Sequence, residues 1–279
     1  MFIEKLDRST FDNSFLNDFR AADMKSKLEM LVLMANAVEI LHKEGKGHFD
    51  IKPENFMIKD GETPIIKLID FGMVSAPGVI RFCGTYHFMD PNMANPMFEL
   101  DFPSDIYSLG MTIHELFYGL EELAMPDKSI ADDQELFKQF ALSRITIMDN
   151  LYRDFEEEYN SQGMEVYYIN SIHNLIKSMV LYEMDKRPSI EAISELFNSL
   201  LEQLAPESIY LKKNQQTLFN KVYGGFIMPN IKDYSDGDKL EFNNLIIQSQ
   251  SEIALQNSIA NLKALLGTIP TTDQKKTII

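Results

Sequence analysis

Two short strand-like runs, residues 56–58 and 65–69, restrict the local fold of this chain more than any other part of the sequence. An Asp-Gly pair and a proline separate them, which predicts a β-hairpin with a longer loop. In an antiparallel pair the start of the first strand lies beside the end of the second. We therefore expect Asn55 and Asp70 to meet at one edge of the hairpin.

Helical patterns occupy most of the remaining sequence. Apolar residues recur at three- and four-residue steps between Asp23 and His42, and Gly45 follows as a stop signal. Ser104 is expected to cap a buried helix that continues to Gly119. The chain is therefore predicted to be mainly α-helical. Further helices are predicted over residues 134–141, 166–182, 190–204 and 238–266.

Charge and cysteine content exclude several classes of partner. The net charge of −16 and the pI of about 4.7 argue against binding to nucleic acid or to an anionic membrane surface. The longest apolar stretch, residues 28–41, contains two glutamates, so no membrane span is predicted. Cys83 is the single cysteine, and residues 1–10 lack the apolar core of a signal peptide. We expect an intracellular, cytoplasmic protein.

Polar motifs flank the hairpin on both sides. Residues 48–55 read HFDIKPEN, and Asp70, Phe71 and Gly72 follow the second strand. A lone aspartate before a strand, or a lone Asp-Phe-Gly, is usually a turn. Here the two motifs stand in order on either side of a hairpin that would bring them together. This arrangement resembles the catalytic loop and metal-binding loop of the eukaryotic-type Ser/Thr protein kinases.

The resemblance implies a site for phosphoryl transfer, which needs oxygen ligands for Mg²⁺, a cation near the transferred phosphate and an acceptor for the attacking hydroxyl. Asp50 would accept the substrate hydroxyl proton, and Lys52 would neutralise charge on the γ-phosphoryl oxygens. Asn55 and Asp70 would hold Mg²⁺, with Gly72 allowing the backbone to turn after the metal ligand. The implied enzyme transfers the γ-phosphoryl of Mg·ATP to a hydroxyl of a protein substrate.

A second motif is similar to the substrate-binding end of a kinase activation segment. It covers residues 83–91, which read CGTYHFMDP and include Gly84. By resemblance, Thr85 would bond both Asp50 and Lys52. Lysine and threonine at these positions are the types found in Ser/Thr-directed kinases.

Three further residues would support the site by resemblance to kinases. Asp105 would fix the backbone of the catalytic loop, which begins with His48. A carboxylate in the first turn of a helix has a simpler explanation, a charge effect worth ~0.3 to 1 kcal/mol. Arg187 would belong to the last helical region of a kinase domain.

Two positions depart from the kinase pattern. Phe49 stands where many kinases have an arginine that captures a phosphate on the activation segment, so control by that phosphorylation is not expected. Asn92 replaces the glutamate that normally pairs with an arginine, here Arg187. Because a buried arginine without its carboxylate is costly, Arg187 should be hydrated, paired elsewhere or bonded to Asn92.

The third departure concerns the kinase N-lobe, which carries a Gly-rich loop, a strand lysine and a helix glutamate. Only 49 residues precede Asp50, and no glycine occurs before Gly45. We therefore expect residues 1–204 to form a hinge and C-lobe only, with the N-lobe supplied by an upstream segment or a partner chain. Residues 205–279 are predicted to be an acidic C-terminal extension with one long helix.

Loss of the N-lobe contacts would expose apolar surface near Leu31, Met57 and Leu68 for a partner to cover. Two functions besides the kinase remain open. One is a catalytically inactive, kinase-derived binding or scaffold module, as the missing N-lobe, Phe49 and Asn92 suggest. The other is a kinase-like enzyme that uses the same metal residues for different nucleotide chemistry.

Overall fold

The computed structural model describes residues 8–9, 13–59, 65–80, 83–119, 134–159 and 164–211. Helices dominate these ranges, which confirms the predicted mainly α-helical class. The predicted helix over residues 238–266 lies outside the described part. The elements in chain order are β1 (Arg8–Ser9), α1 (Asn13–Ala21), α2 (Met24–Lys43), β2 (Phe56–Lys59), β3 (Ile65–Leu68), β4 (Val79–Ile80), β5 (Glu99–Leu100), α3 (Phe102–Tyr118), α4 (Gln134–Tyr159), α5 (Met164–Met179) and α6 (Ile190–Leu204).

The predicted hairpin is confirmed. Strands β2 and β3 pair antiparallel, with Phe56 opposite Leu68 and Lys59 opposite Ile65. Strand β1 adds to the free edge of β2, so the sheet has three strands in the order β1-β2-β3. A second antiparallel pair, β4 with β5, was not foreseen because each strand is only two residues long.

Two helices begin and end where the sequence predicts. The Asp23 carboxylate accepts a hydrogen bond from the backbone N–H of Ser26 at 2.8 Å and caps α2. Gly45 follows that helix with a positive φ of 68°, a conformation that costs glycine little. The Ser189 hydroxyl caps α6 through the N–H of Ala192 at 3.3 Å.

Other helix boundaries were predicted wrongly. Helix α3 is capped by Asp101, whose carboxylate accepts from the N–H of Phe102 at 2.7 Å, whereas Ser104 is buried inside the helix. Helix α4 extends far beyond the predicted residues 134–141, because buried side chains continue at four-residue steps. These are Arg144, Met148 and Tyr152.

The core surrounds α3, which is buried along most of its length between α1 and α5. Leu31 and Leu68 are buried and Met57 is half-buried, so the prediction of exposed apolar surface near these residues was wrong at Leu31 and Leu68. Helix α2 packs against β3 and α6, and these contacts cover Leu31 and Leu68. The large apolar side chains exposed beside the hairpin are Phe71 and Met73 instead.

The described part of the C-terminal extension packs on the same core. Ala205, Tyr210 and Leu211 are buried, and the Ser208 hydroxyl donates to Glu29 of α2 at 2.6 Å. The domain boundary at residue 204 stays a prediction. Within the described ranges, no helix has the length and apolar character needed to cross a lipid bilayer.

Candidate active site

The buried Asp105 carboxylate holds the backbone of residues 48–49. One oxygen accepts from the N–H of His48 and the other from the N–H of Phe49, each at 2.7 Å. His42, at the end of α2, places its Nε2 at 2.9 Å from the same carboxylate. Because Asp105 lies in the first turn of α3, this long helix fixes the loop that carries Asp50. No sequence pattern predicted the contact with His42.

His48 links this loop to the residues that follow β3. Its Nε2 lies 3.0 Å from the carbonyl oxygen of Ile69, the residue before Asp70. Its ring centroid is 5.9 Å from that of Phe71, whose side chain is 58% exposed. His48 therefore braces the start of both polar motifs against each other.

Asp50, Lys52 and Thr85 form a closed triangle of polar contacts. The Thr85 hydroxyl donates to Asp50 Oδ1 at 3.1 Å and accepts from Lys52 Nζ at 2.9 Å. Lys52 Nζ also lies 3.0 Å from Asp50 Oδ2. Asn55 Nδ2 donates to the Asp50 carbonyl at 2.7 Å. The side chains of Asp50 and Lys52 remain 13% and 21% exposed, so a ligand can still reach the oriented carboxylate.

Asn55 and Asp70 lie at the same end of the hairpin. The N–H of Ile69 donates to the Asn55 carbonyl at 2.9 Å, which places the next residue, Asp70, beside Asn55. Asp70 has a left-handed backbone with φ of 61°, and its carboxylate accepts from the N–H of Gly72 at 3.3 Å. The positive φ of this turn is thus at Asp70 itself and not at Gly72, the residue predicted to let the backbone turn after the metal ligand.

The donor set at this edge fits Mg²⁺. The side-chain nitrogen of Asn55, Nδ2, donates to Asp50. The side-chain oxygen of Asn55, Oδ1, is therefore the acceptor that lies beside the Asp70 carboxylate. Magnesium binds hard oxygen ligands and is usually held by one or two protein groups together with water and phosphate oxygens. In the described ranges no three His, Cys, Asp or Glu side chains converge on a point. Such a site would therefore depend on the ligand for its remaining oxygens.

Phe49 anchors residues 83–100 through apolar packing. Its buried ring belongs to a cluster with Cys83, Met89, Met93 and Leu100, which is separate from the main core. The buried Cys83 thiol donates to the Phe49 carbonyl oxygen, with a sulfur–oxygen distance of 3.7 Å. Phe49 has a positive φ of 61°, which is strained for a non-glycine residue and requires support from its surroundings.

Gly84 lies where residues 83–100 pass the loop that carries Asp50. It has φ of 103°, and a Cβ atom there would lie 3.3 Å from the Phe49 carbonyl and 4.0 Å from Asp50 Oδ1. A side chain at this position would meet both a strained backbone and a tight contact. Glycine therefore lets Thr85 reach Asp50.

Arg187 is paired elsewhere, the second of the three arrangements expected from the sequence. Its Nη1 and Nη2 lie 2.5 and 3.1 Å from the two carboxylate oxygens of Asp90, and both side chains are fully buried. Sequence reasoning missed Asp90 because the kinase pattern places the acid two residues later, at Asn92. The available signal was an aspartate in the Asp-Pro-Asn tripeptide, close to the missing glutamate.

The chain is similar to known protein kinases. The family model described as protein kinase domain matches residues 4–197. Death-associated protein kinase 2 of mouse and of human are each 32% identical over 163 residues, which cover 56% of this chain and 39% of the relative. An Aurora kinase of Saccharomyces cerevisiae is 32% identical over 145 residues, covering 50% of this chain and 36% of the relative. This chain therefore spans less than two fifths of the length of these relatives.

Proposed function

We propose that this chain, which belongs to the protein kinase family, is a serine/threonine kinase. In this proposal it transfers the γ-phosphoryl of Mg·ATP to a hydroxyl of a protein substrate. The observation that carries the proposal is the triangle of Asp50, Lys52 and Thr85, in which every contact is 2.9 to 3.1 Å. Two of the relatives that match this chain are named as serine/threonine-protein kinases, which supports the proposal.

Asp50 is the proposed acceptor of the substrate hydroxyl proton. Thr85 and Lys52 occupy one carboxylate oxygen each, so the carboxylate has a fixed orientation while it stays accessible. Holding an acceptor group in a productive geometry is a major source of rate enhancement in phosphoryl transfer. Lys52, next to the same point, would stabilise negative charge that develops on the transferred group.

Asn55 and Asp70 are the proposed magnesium ligands. They would hold the ion where it could supply positive charge to the phosphates of the nucleotide. Asn55 is buried and tied through its amide nitrogen to Asp50, so its position depends on the catalytic loop. Asp70 is exposed and held by the turn that ends in Gly72. The two ligands thus come from different loops joined by the hairpin.

Residues 83–91 form the proposed substrate-binding segment, and we propose that the order of this segment does not depend on a phosphate. Phe49 holds this segment by apolar packing at the position where many kinases use an arginine. Apolar burial requires no modification to form. Phosphatase treatment that lowers the transfer rate would contradict this part of the proposal.

The lobe that covers the nucleotide is proposed to come from an upstream segment or a partner chain. Phe71 and Met73 lie beside the catalytic residues with 58% and 39% of their surface exposed. Such a concentration of apolar surface at a functional edge favours a covering partner.

We also propose an intracellular, cytoplasmic location for the protein.

A metal titration tests the proposed reaction. Transfer from γ-labelled ATP to a protein acceptor should require Mg²⁺, and Asp70→Asn should shift that requirement to higher Mg²⁺ concentration. Asp154→Asn removes one exposed carboxylate from α4 and serves as the matched control. Transfer by the wild type that needs no divalent cation, or equal Mg²⁺ dependence in all three proteins, would contradict the proposed metal site.

The second candidate function is an inactive, kinase-derived binding module. The exposed Phe71 and Met73 favour it, because these side chains could bind a partner without any chemistry. In that case Asp70→Ala, which removes a metal ligand, leaves partner capture unchanged in a pull-down, and no labelled phosphate is transferred. Metal-dependent transfer by the wild type would exclude this alternative.

A further inference from the structure

The guanidinium of Arg187 is fully satisfied inside the fold. Two of its five N–H groups donate to Asp90. A guanidinium has five donors, and the other three reach backbone carbonyl oxygens, so no donor is left over. Arg187 and its acceptors form a node that joins the end of the substrate-binding segment to the start of α3 and to the turn after α5. The other three donors reach the carbonyl oxygens of Leu181, Pro103 and Tyr182, at 2.7, 2.8 and 3.2 Å.

Asn92 lies beside the same guanidinium as a neutral partner. Its Nδ2 donates to Asp90 Oδ1 and to the carbonyl oxygen of Tyr182, each at 2.9 Å. Because Arg187 Nη2 donates to that same carbonyl, a side chain at position 92 lies within reach of the arginine. A second carboxylate here would face Asp90 as a like charge in a buried site. The Asp90 carboxylate is therefore compatible with a neutral amide at position 92, and not with a second carboxylate there.

Asp90 also ends the turn that presents Thr85 to the catalytic loop. The N–H groups of Phe88 and Met89 both donate to the Thr85 carbonyl at 2.9 Å, while the Thr85 hydroxyl donates to Asp50. Asp90 follows directly and fastens this turn to Arg187. The position of the acceptor-binding turn relative to Asp50 thus depends on Asp90.

The other side of the node leads to the same place. Arg187 donates to the carbonyl of Pro103, two residues before Asp105. Asp105 holds the backbone of Phe49, the residue before Asp50. The node therefore fixes the acceptor-binding turn and the catalytic loop relative to one another.

We infer that Asp90 is a positioning residue for the protein acceptor, and that in this chain the acid and its neutral neighbour have exchanged places relative to the usual kinase pattern. The buried pairing of Asp90, Asn92 and Arg187 carries the inference. Its kinetic readout rests on the proposed kinase function. Its structural readout is the order of residues 83–92 and is independent of that function.

A cycle of four full-length proteins tests the inference: wild type, Asp90→Asn, Asn92→Glu and the double variant. Asp90→Asn should raise the KM for a protein acceptor by about 10- to 100-fold and leave the KM for ATP unchanged. Amide hydrogen exchange should rise in residues 83–92 but not in α2. The double variant returns one carboxylate to the site through position 92 and should recover most of both losses.

A merely structural role predicts a different result. Asp90→Asn would then lower the folded fraction and the rate together, with an unchanged acceptor KM and unchanged exchange in residues 83–92, and the inference would be overturned. A double variant no better than Asp90→Asn would overturn the exchange of places. Should Asp90→Asn fail to fold, recovery of a folded double variant with near wild-type exchange supports the inference, and failure of both variants to fold contradicts it.

The two proposals fail in different ways. A wild type that transfers no phosphate would remove the proposed kinase function only. Hydrogen exchange in the same four proteins would still decide whether Asp90 orders residues 83–92. Unchanged exchange at those residues in Asp90→Asn would remove the inference, whatever the transfer activity.

Discussion

A Cβ atom at Gly47 would lie 2.3 Å from the ring of Phe49, so the ring fills the space beside Gly47 at the start of the loop that carries Asp50. The same glycine exchanges both backbone hydrogen bonds with Ser75, at 2.9 and 3.2 Å. It is therefore held in place on its other side. An added methyl group must displace the Phe49 ring from its apolar cluster with residues 83–100.

Gly47→Ala should consequently lower the free energy of unfolding by about 1 to 3 kcal/mol, the usual cost of overpacking a closed site. Chemical denaturation measures this change. Lys46→Ala alters the exposed neighbouring residue and should stay within about 0.5 kcal/mol of the wild type. Equal stability of the two variants would show that the Phe49 ring can leave its position at no cost.

Asp105 and Asp101 both lie at the start of α3 and should respond very differently to replacement. Asp105→Ala leaves the buried N–H groups of His48 and Phe49 without their acceptor and should cost about 3 kcal/mol or more. Asp101→Ala removes only a helix cap and should cost about 1 kcal/mol. Denaturation of the two variants gives both values, and similar losses would contradict the bracing role of Asp105.

Stability should fall in acid because two buried histidines resist protonation. Burial, with a smaller effect of Arg144, lowers the pKa of His114 to about 3. Burial also lowers the pKa of His173 to about 3. In the unfolded chain both take up a proton near pH 6.5, so their stabilising effect is complete above that pH and is lost as the pH falls towards 3.

Between pH 6.5 and 5, each of these histidines should account for about 1 to 2 kcal/mol of lost stability. Measured free energies of unfolding should therefore depend less steeply on pH in His114→Gln and in His173→Gln. His87→Gln replaces an exposed histidine and should leave the slope unchanged. A wild-type slope retained in all three variants would be inconsistent with this explanation.

The sequence predicted the parts of the site that follow from local order along the chain. The hairpin brought Asn55 and Asp70 to one edge because its register depends on neighbouring residues. The role of Asp90 depends on Arg187, which is 97 residues away in sequence. No local sequence pattern indicates a contact between residues so far apart. Leu31 was misplaced for the same reason, since its cover comes from distant elements.

Arg144 and Arg187 offer a matched pair of buried arginines, both in contact with Tyr107. Arg144 donates from Nη1 to the Tyr107 hydroxyl at 2.9 Å, but its buried Nε and Nη2 have no hydrogen-bond partner among the described residues. Arg144→Met should therefore raise the free energy of unfolding by about 1 to 3 kcal/mol. Arg187→Met leaves the buried Asp90 carboxylate without its cationic partner and should lower the free energy of unfolding by about 3 to 5 kcal/mol.

Thermal or chemical denaturation compares the two methionine variants directly. The test is whether the two changes in the free energy of unfolding have opposite signs. Both substitutions remove a buried guanidinium, and they differ in the hydrogen-bond partners that this group has. A loss of stability in Arg144→Met as large as that in Arg187→Met would mean that Arg144 has an acidic partner in the protein.

We propose that Asp50 serves a phosphoryl transfer, and single-turnover transfer from γ-labelled Mg·ATP to a protein acceptor is the decisive assay of that role. Nucleotide binding is measured alongside for the full-length wild type and Asp50→Asn. We expect equal nucleotide binding in the two proteins and a transfer rate that is lower by about 100-fold or more in the variant. Equal transfer rates in the two proteins, or no transfer by a wild type that binds the nucleotide, would contradict it.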